Sequence, residues 1–143
     1  MSREVIISIT GLEKYADDGK ESTKTELVTE GKYYKKGDKY YISYKETEMT
    51  GFDDDTTTTL KIEGDSVAMT RFGLVNTHMI FKEGQKHTGH YETPFGSFTV
   101  GIFSDEVQIK MDEEGGDISI QYLLEIDNNT KARHNLTLNV RQA

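Results

Sequence analysis

Apolar and polar residues alternate with period two along almost the whole chain, and no stretch of a dozen residues carries the 3.6-residue period of a helix. The later segments show it most plainly. Phe98, Val100 and Ile102 share one face of an extended chain, as do Val107, Ile109 and Met111. Ile118, Ile120, Tyr122, Leu124 and Ile126 form an unbroken apolar row, and Leu136, Leu138 and Val140 form another. Successive side chains of a strand point to opposite faces, so rows of this kind mark the buried face. Between them recur turn signals that pair a residue tolerant of positive φ with a polar neighbour: Asp17-Asp18-Gly19, Lys36-Gly37-Asp38, Gly64-Asp65, Glu83-Gly84, Thr93-Pro94-Phe95-Gly96, Glu113 to Asp117 and Asp127-Asn128-Asn129. The pattern predicts strands over residues 3–12, 24–35, 39–48, 56–63, 66–72, 76–82, 86–93, 97–103, 105–112, 117–126 and 131–141, with 97–112 readable as one long bent strand. Connections this short make sequential strands antiparallel neighbours, and a meander of about ten strands closes to remove its exposed edges. The expected fold is an all-β, up-and-down barrel of the calycin (lipocalin-like) kind, with residues 1–143 as a single domain.

Composition agrees with that reading. A hydrophobic fraction of 34% and a mean hydropathy of -0.65 suit strands with one wet face. One proline against 13 glycines suits ladders joined by tight turns. The net charge of -8 disfavours a nucleic-acid partner, whose phosphate backbone demands a concentrated basic face. The longest basic cluster is Lys35-Lys36 with Lys39, split by a turn. There is no cysteine, hence no disulfide or thiolate chemistry. The opening MSREVIISITG lacks the features of a secretory signal, and no apolar run approaches the roughly 20 residues of a membrane-spanning helix. The expectation is a cytoplasmic protein with no membrane partner.

Two of the inward rows end in charge. On 39–48 the row Tyr40, Ile42, Tyr44 continues to Glu46; on 66–72 the row Val67, Met69 continues to Arg71. The intervening strand contributes Thr56, Thr58, Leu60 and Ile62, so the two charges can meet only across it or near a barrel end. An unpaired buried charge is very unfavourable, whereas a bonded carboxylate and guanidinium persist inside proteins. One reading is a polar plug at strand termini. The other is a polar anchor inside a ligand cavity, where Arg71, Glu46, Tyr44, Tyr40, Met69 and Tyr122 would receive a small, partly apolar molecule with an acidic head group.

Other candidate chemistry is weaker. His87 and His90 fall on opposite strand faces, which is wrong for a metal pair, and no metal or other cofactor is expected. His90 and His78 read as surface residues, His134 as a core imidazole continuing the row of Leu136. The acidic runs Asp53-Asp54-Asp55 and Asp112-Glu113-Glu114 with Asp117 do not follow the ligand spacing of a calcium loop and coincide with turns. No nucleophile elbow or phosphate loop is present, so no enzyme is expected. A hydrolase using His90 or His134 would need a carboxylate within hydrogen-bond reach.

Several segments, in order, resemble one family. They are Gly31-Lys32-Tyr33-Tyr34, Tyr40-Tyr41-Ile42-Ser43-Tyr44-Lys45-Glu46, Val67-Ala68-Met69-Thr70-Arg71-Phe72-Gly73, Tyr91-Glu92-Thr93-Pro94-Phe95-Gly96, the acidic hairpin from Glu113 to Asp117, and His134-Asn135-Leu136-Thr137-Leu138. Together they resemble the YwiB-like bacterial family (domain of unknown function 1934). The resemblance implies a calycin-type barrel in a cytosolic bacterial protein and carries no catalytic residues with it. Two functional expectations follow: a barrel that binds a small ligand inside, or an interaction module or homodimer using its outer surface, with Tyr33, Tyr41 and Phe72 as exposed candidates.

Overall fold

The computed structural model describes residues 2–15, 22–46, 56–126 and 129–143. Its strands are β1 (Arg3–Tyr15), β2 (Ser22–Lys36), β3 (Lys39–Lys45), β4 (Thr57–Glu63), β5 (Ser66–Phe72), β6 (Asn76–Lys82), β7 (Lys86–Thr93), β8 (Gly96–Asp112), β9 (Gly115–Ile126) and β10 (Asn129–Gln142). Each pairs antiparallel with its neighbours in sequence, and β1 also pairs with β10 from Val5↔Gln142 to Tyr15↔Ala132. The sheet is therefore a closed barrel of ten strands in meander order. Closure satisfies the backbone groups that an open edge would leave to solvent.

The alternation read from the sequence places the interior correctly. Val5, Ile7, Ile42, Leu60, Ile62, Val67, Phe81, Ile102, Ile118, Ile120 and Leu138 are almost wholly buried in one cluster. Residues 97–112 belong to a single strand, and a bulge between Ser104 and Glu106 bends it where the sequence offered a break. A second bulge lies between Thr130 and Ala132. The predicted strand 39–48 ends its ladder at Lys45, but the Glu46 N–H still donates to the Thr56 carbonyl at 2.8 Å. That bond keeps Glu46 in strand register. Residues 47 and 48, and the run Asp53-Asp54-Asp55, lie outside the described residues.

Three expectations need correction. Tyr33 is not exposed: it is 2% accessible and faces inward, opposite Arg3 on β1 and Ile42 on β3. The β2 row that carries it runs through Thr29 and Gly31, so the apolar alternation that would assign its face is broken. Tyr41 does lie on the outer face but is half-buried, stacked on Tyr34 at 4.8 Å. Phe98 belongs to the inward row yet is exposed, because it stands at the barrel rim with Tyr91 stacked on it at 5.1 Å. Phe72 is exposed as expected.

Because strands alternate in direction, Lys45, Thr57, Phe72, Asn76, Thr93 and Gly96 gather at one end of the barrel. The hairpins at Gly37-Asp38, Gly64-Asp65 and Glu113-Glu114 close the other. The first is called here the arginine end and the second the hairpin end.

Candidate functional site

The arginine end is built by one lateral row. Across the ladders, Tyr44 of β3 stands opposite Thr58 of β4, Thr58 opposite Arg71 of β5, Arg71 opposite Thr77 of β6, and Thr77 opposite Tyr91 of β7. All five face the interior: Tyr44, Thr58, Arg71 and Thr77 each share a pleat with a core residue two places along the strand, and Tyr91 packs against the core cluster itself. Gly31 of β2, opposite Tyr44, makes the crowding possible. A Cβ there would lie 2.5 Å from the Ser43 carbonyl oxygen and 3.3 Å from the Tyr44 Cβ.

Glu46 and Arg71 meet across β4, as their positions in the row require. Arg71 Nε donates to Glu46 Oε1 at 3.4 Å, and the Thr58 hydroxyl donates to the same oxygen at 2.6 Å. The Glu46 side chain is 2% exposed and that of Arg71 17%. The Tyr44 hydroxyl lies close enough to Glu46 to feel its charge. Burial, then the Glu46 charge, push the Tyr44 phenol well above its ordinary pKa, while Arg71 pulls it back. The carboxylate is thus the hub of a network of a hydroxyl and a guanidinium, which is how a buried charge is tolerated.

A second inward row reaches the same space. Ser104 of β8 stands opposite Tyr122 of β9, Tyr122 opposite His134 of β10, and His134 opposite Glu13 of β1. The Tyr122 ring lies 4.8 Å from Phe81 and stacks on the His134 imidazole at 4.7 Å and 4°. Burial raises the pKa of both Tyr91 and Tyr122; the charges of Arg71 and Glu13 act on both hydroxyls in opposite directions. The two rows therefore share one electrostatic environment.

Among the described residues, five buried side-chain atoms have no hydrogen-bond partner: Thr77 Oγ1, Ser104 Oγ and His134 Nε2 on these two rows, and His87 Nε2 and Asn135 Oδ1 off them. The nearest carboxylate oxygen to His134 Nε2 is Glu13 Oε1 at 3.9 Å, beyond hydrogen-bond distance. Buried polar atoms are nearly always paired, so three on converging inward rows single out this region. Sequence reasoning missed Thr77, Ser104, Tyr91 and Glu13. A hydroxyl at one inward position looks like tolerated polarity until the ladder registers bring such positions together.

Of the sequence-predicted site residues, the structure brings together Arg71, Glu46 and Tyr44, with Tyr122 facing them from β9. Met69 lies one pleat below Arg71 and is a core residue, 3% exposed, between Leu60 and Met79. Tyr40 is inward too but belongs to the hairpin end, stacked on Tyr33 at 5.7 Å. Six residues of strand separate it from Glu46, about 20 Å, so it is not part of this site. His78 and His90 are exposed on the outer face. Among the described residues no group of three or more His, Asp or Glu could hold a metal ion, and no helix is long and apolar enough to cross a membrane.

This fold has known counterparts. The uncharacterized beta-barrel protein YwiB of Bacillus subtilis (strain 168) is 30% identical over 138 residues, covering 96% of this chain and 94% of the relative. The crystal structure of the ywiB protein from Bacillus subtilis superposes with a TM-score of 0.84 at 26% identity, over 99% of this chain and 93% of the other. The family described as a domain of unknown function (DUF1934) matches residues 7–138, which runs from the first core strand to the last. On both its sequence and its ten-stranded barrel, this chain belongs to the DUF1934 family.

Proposed function

We propose that the arginine end receives a small, partly apolar ligand whose acidic head group meets Arg71 and the surrounding hydroxyls. The observation that carries this reading is a set of buried polar atoms without partners among the described residues: Thr77 Oγ1 directly across the ladder from Arg71, and Ser104 Oγ and His134 Nε2 flanking Tyr122 on the second inward row. A site that orients a guest needs a few polar groups above an apolar floor. Here the apolar groups packed beneath Arg71 and Thr77 include Met69, Met79 and Phe81, with Tyr91 and Tyr122 against them. The fold itself adds only analogy, since calycin-like barrels host many functions.

The test is a thermal-shift series with straight-chain fatty acids of graded length, followed by calorimetry. A ligand at 100 times its Kd stabilises by about 2.7 kcal/mol. The Thr77→Val variant keeps the shape and removes a polar atom, so it should fold normally and bind more weakly. Arg71→Gln should bind weakest. No stabilisation of the folded protein by any chain length, or equal binding by both variants, sinks the reading.

A second reading rests on a separate observation. Phe72, Leu74, Phe95 and Phe98 are exposed, Phe95 to 99%, and all stand around the same rim. Exposed apolar clusters mark interaction surfaces. Light scattering across concentration checks it: self-association that Phe95→Ser abolishes supports a homodimer through the rim, and a concentration-independent monomer argues against one.

A further inference from the structure

The outer wall of the barrel brings two histidines together. Strand alternation puts Thr70 of β5, His78 of β6 and His90 of β7 on the outward pleat, and the ladders set them in one lateral row: Thr70 opposite His78, and His78 opposite His90. Residues directly opposite on antiparallel strands have Cβ atoms about 5 Å apart, so the two imidazoles stand side by side although far apart in sequence. Both are exposed. Both line one shallow recess of about 190 Å³, together with Thr70, Asn76 and Glu92. The Thr70 hydroxyl lies 3.2 Å from His78 Nδ1, within hydrogen-bond distance. The two nitrogens of an imidazole point to opposite sides of the ring, so this bond turns His78 Nε2 away from β5, toward the side on which His90 stands. Glu92 follows His90 by two places on the same face and stands opposite Asn76. Arg71 and Thr77 border the recess from the inward pleat, where Glu46 holds the guanidinium.

We infer that His78 and His90 form a two-imidazole site for a divalent transition-metal ion of the kind that prefers nitrogen, such as Cu(II) or Zn(II). Neutral imidazole is the commonest metal ligand, and metal–nitrogen bonds of about 2.0–2.1 Å fit between the rings of a cross-strand pair. In this arrangement His78 Nδ1–H donates to Thr70 Oγ1, which fixes the tautomer and leaves the Nε2 lone pair for the metal. Glu92 adds negative charge beside the ion, and the net charge of -8 favours a cation over an anion at this surface. Solvent completes the coordination, since no third His, Asp or Glu joins the group among the described residues. His87 and His134 keep their Nε2 atoms buried and take no part. The site stands on the outside of the wall and does not depend on a ligand within the barrel.

The experiment is an imidazole NMR titration of the full chain, without a histidine tag, with Zn(II), alongside electron paramagnetic resonance with Cu(II) and a parallel arm with Mg(II). Zn(II) should shift the ring signals of His78 and His90, leave those of His87 and His134 in place, and saturate at one ion per chain. The Cu(II) spectrum should carry hyperfine structure from two imidazole nitrogens, and Cu(II) should bind more tightly than Zn(II). Mg(II), which takes oxygen ligands, should not compete. Thr70→Val keeps both ligands and removes the Nδ1 partner, so it should weaken Zn(II) by about tenfold. His78→Gln and His90→Gln should each weaken it further. The three side chains lie on the outer face, so the variants should fold; should one not, the ring shifts and the copper spectrum of the unaltered chain decide. Shifts at His87 or His134, a copper spectrum with a single imidazole nitrogen, or displacement of Zn(II) by Mg(II) would each overturn the site. So would histidine variants that bind Zn(II) as tightly as the unaltered chain, because the two imidazoles would then act singly or not at all.

Discussion

The two ends of this barrel are both finished with tyrosines, and they treat the phenol hydroxyl in opposite ways. At the hairpin end, Tyr33 is buried beneath the Tyr40 stack and donates its hydroxyl to the Asp112 backbone carbonyl at 2.5 Å. The polar group is satisfied by main chain that the β8–β9 hairpin holds in place, which closes that end around the Tyr33 ring. At the arginine end, Tyr44 lies beside a carboxylate, and among the described residues Tyr91 finds only the Met79 sulfur at 3.8 Å while Thr77 Oγ1 and His134 Nε2 lack partners. Main chain makes a rigid, cheap acceptor; side chains facing one another make an environment that a guest can join. One end closes the barrel, and the chemistry of recognition collects at the other.

The largest effect should come from splitting the buried pair. Glu46→Ala removes the carboxylate that Arg71 bonds in a largely buried setting and strips Thr58 of its acceptor. Breaking a buried pair from one side costs about 3 kcal/mol or more, roughly 6–12 °C in Tm for a chain of this size. Glu113→Ala at the hairpin end removes a screened surface pair and should cost under about 0.5 kcal/mol. Urea denaturation of the two variants decides the matter. If Glu46→Ala costs no more than Glu113→Ala, the network is not the organising element of that end.

How much of this was legible in the sequence differs between the ends. The row Tyr40, Ile42, Tyr44, Glu46 and the row Val67, Met69, Arg71 each follow from period two alone, and so does their need to meet across β4. Register was not legible. Whether Tyr122 faces Arg71 or Tyr33 depends on how far each strand slides along the next, and that offset accumulates over ten ladders with two bulges. Tyr33 was misplaced for a local reason: Thr29 and Gly31 interrupt its row, and Val28 on the other face is 65% exposed although apolar. The unpartnered atoms could not be foreseen, because a threonine's partner is a property of its neighbours and not of its position.

A smaller pair of effects sharpens the same contrast. Tyr44→Phe removes a buried hydroxyl that lies beside the Glu46 carboxylate and should cost about 2 kcal/mol, whereas Tyr33→Phe removes a bond to a neutral carbonyl and should cost about 1 kcal/mol. Both rings stay and the packing is unchanged, so the difference isolates the acceptor. Chemical denaturation of the two variants checks it. An inverted order would mean that the Asp112 carbonyl anchors its phenol more strongly than the Glu46 charge does.

The smallest effect is a pH dependence confined to the arginine end. Burial against Tyr122 lowers the His134 pKa below its ordinary 6.5, and Glu13 on β1 only partly offsets this. The folded state therefore favours the neutral imidazole, while the unfolded chain takes up a proton at the ordinary pKa. In the pH range where the unfolded chain binds more protons, stability rises with pH. The contribution of His134 is then complete above pH 6.5 and declines as pH falls from 6.5 through the folded value. His134→Phe keeps a ring on Tyr122 and removes the titration, so its urea midpoint should vary less between about pH 5 and 8 than that of the wild type. Tyr33→Phe, at the sealed end, should leave the wild-type slope unchanged over the same interval. A slope that survives His134→Phe and vanishes with Tyr33→Phe would place the titrating group at the wrong end of the barrel, and the division between a closed end and a responsive one would fail.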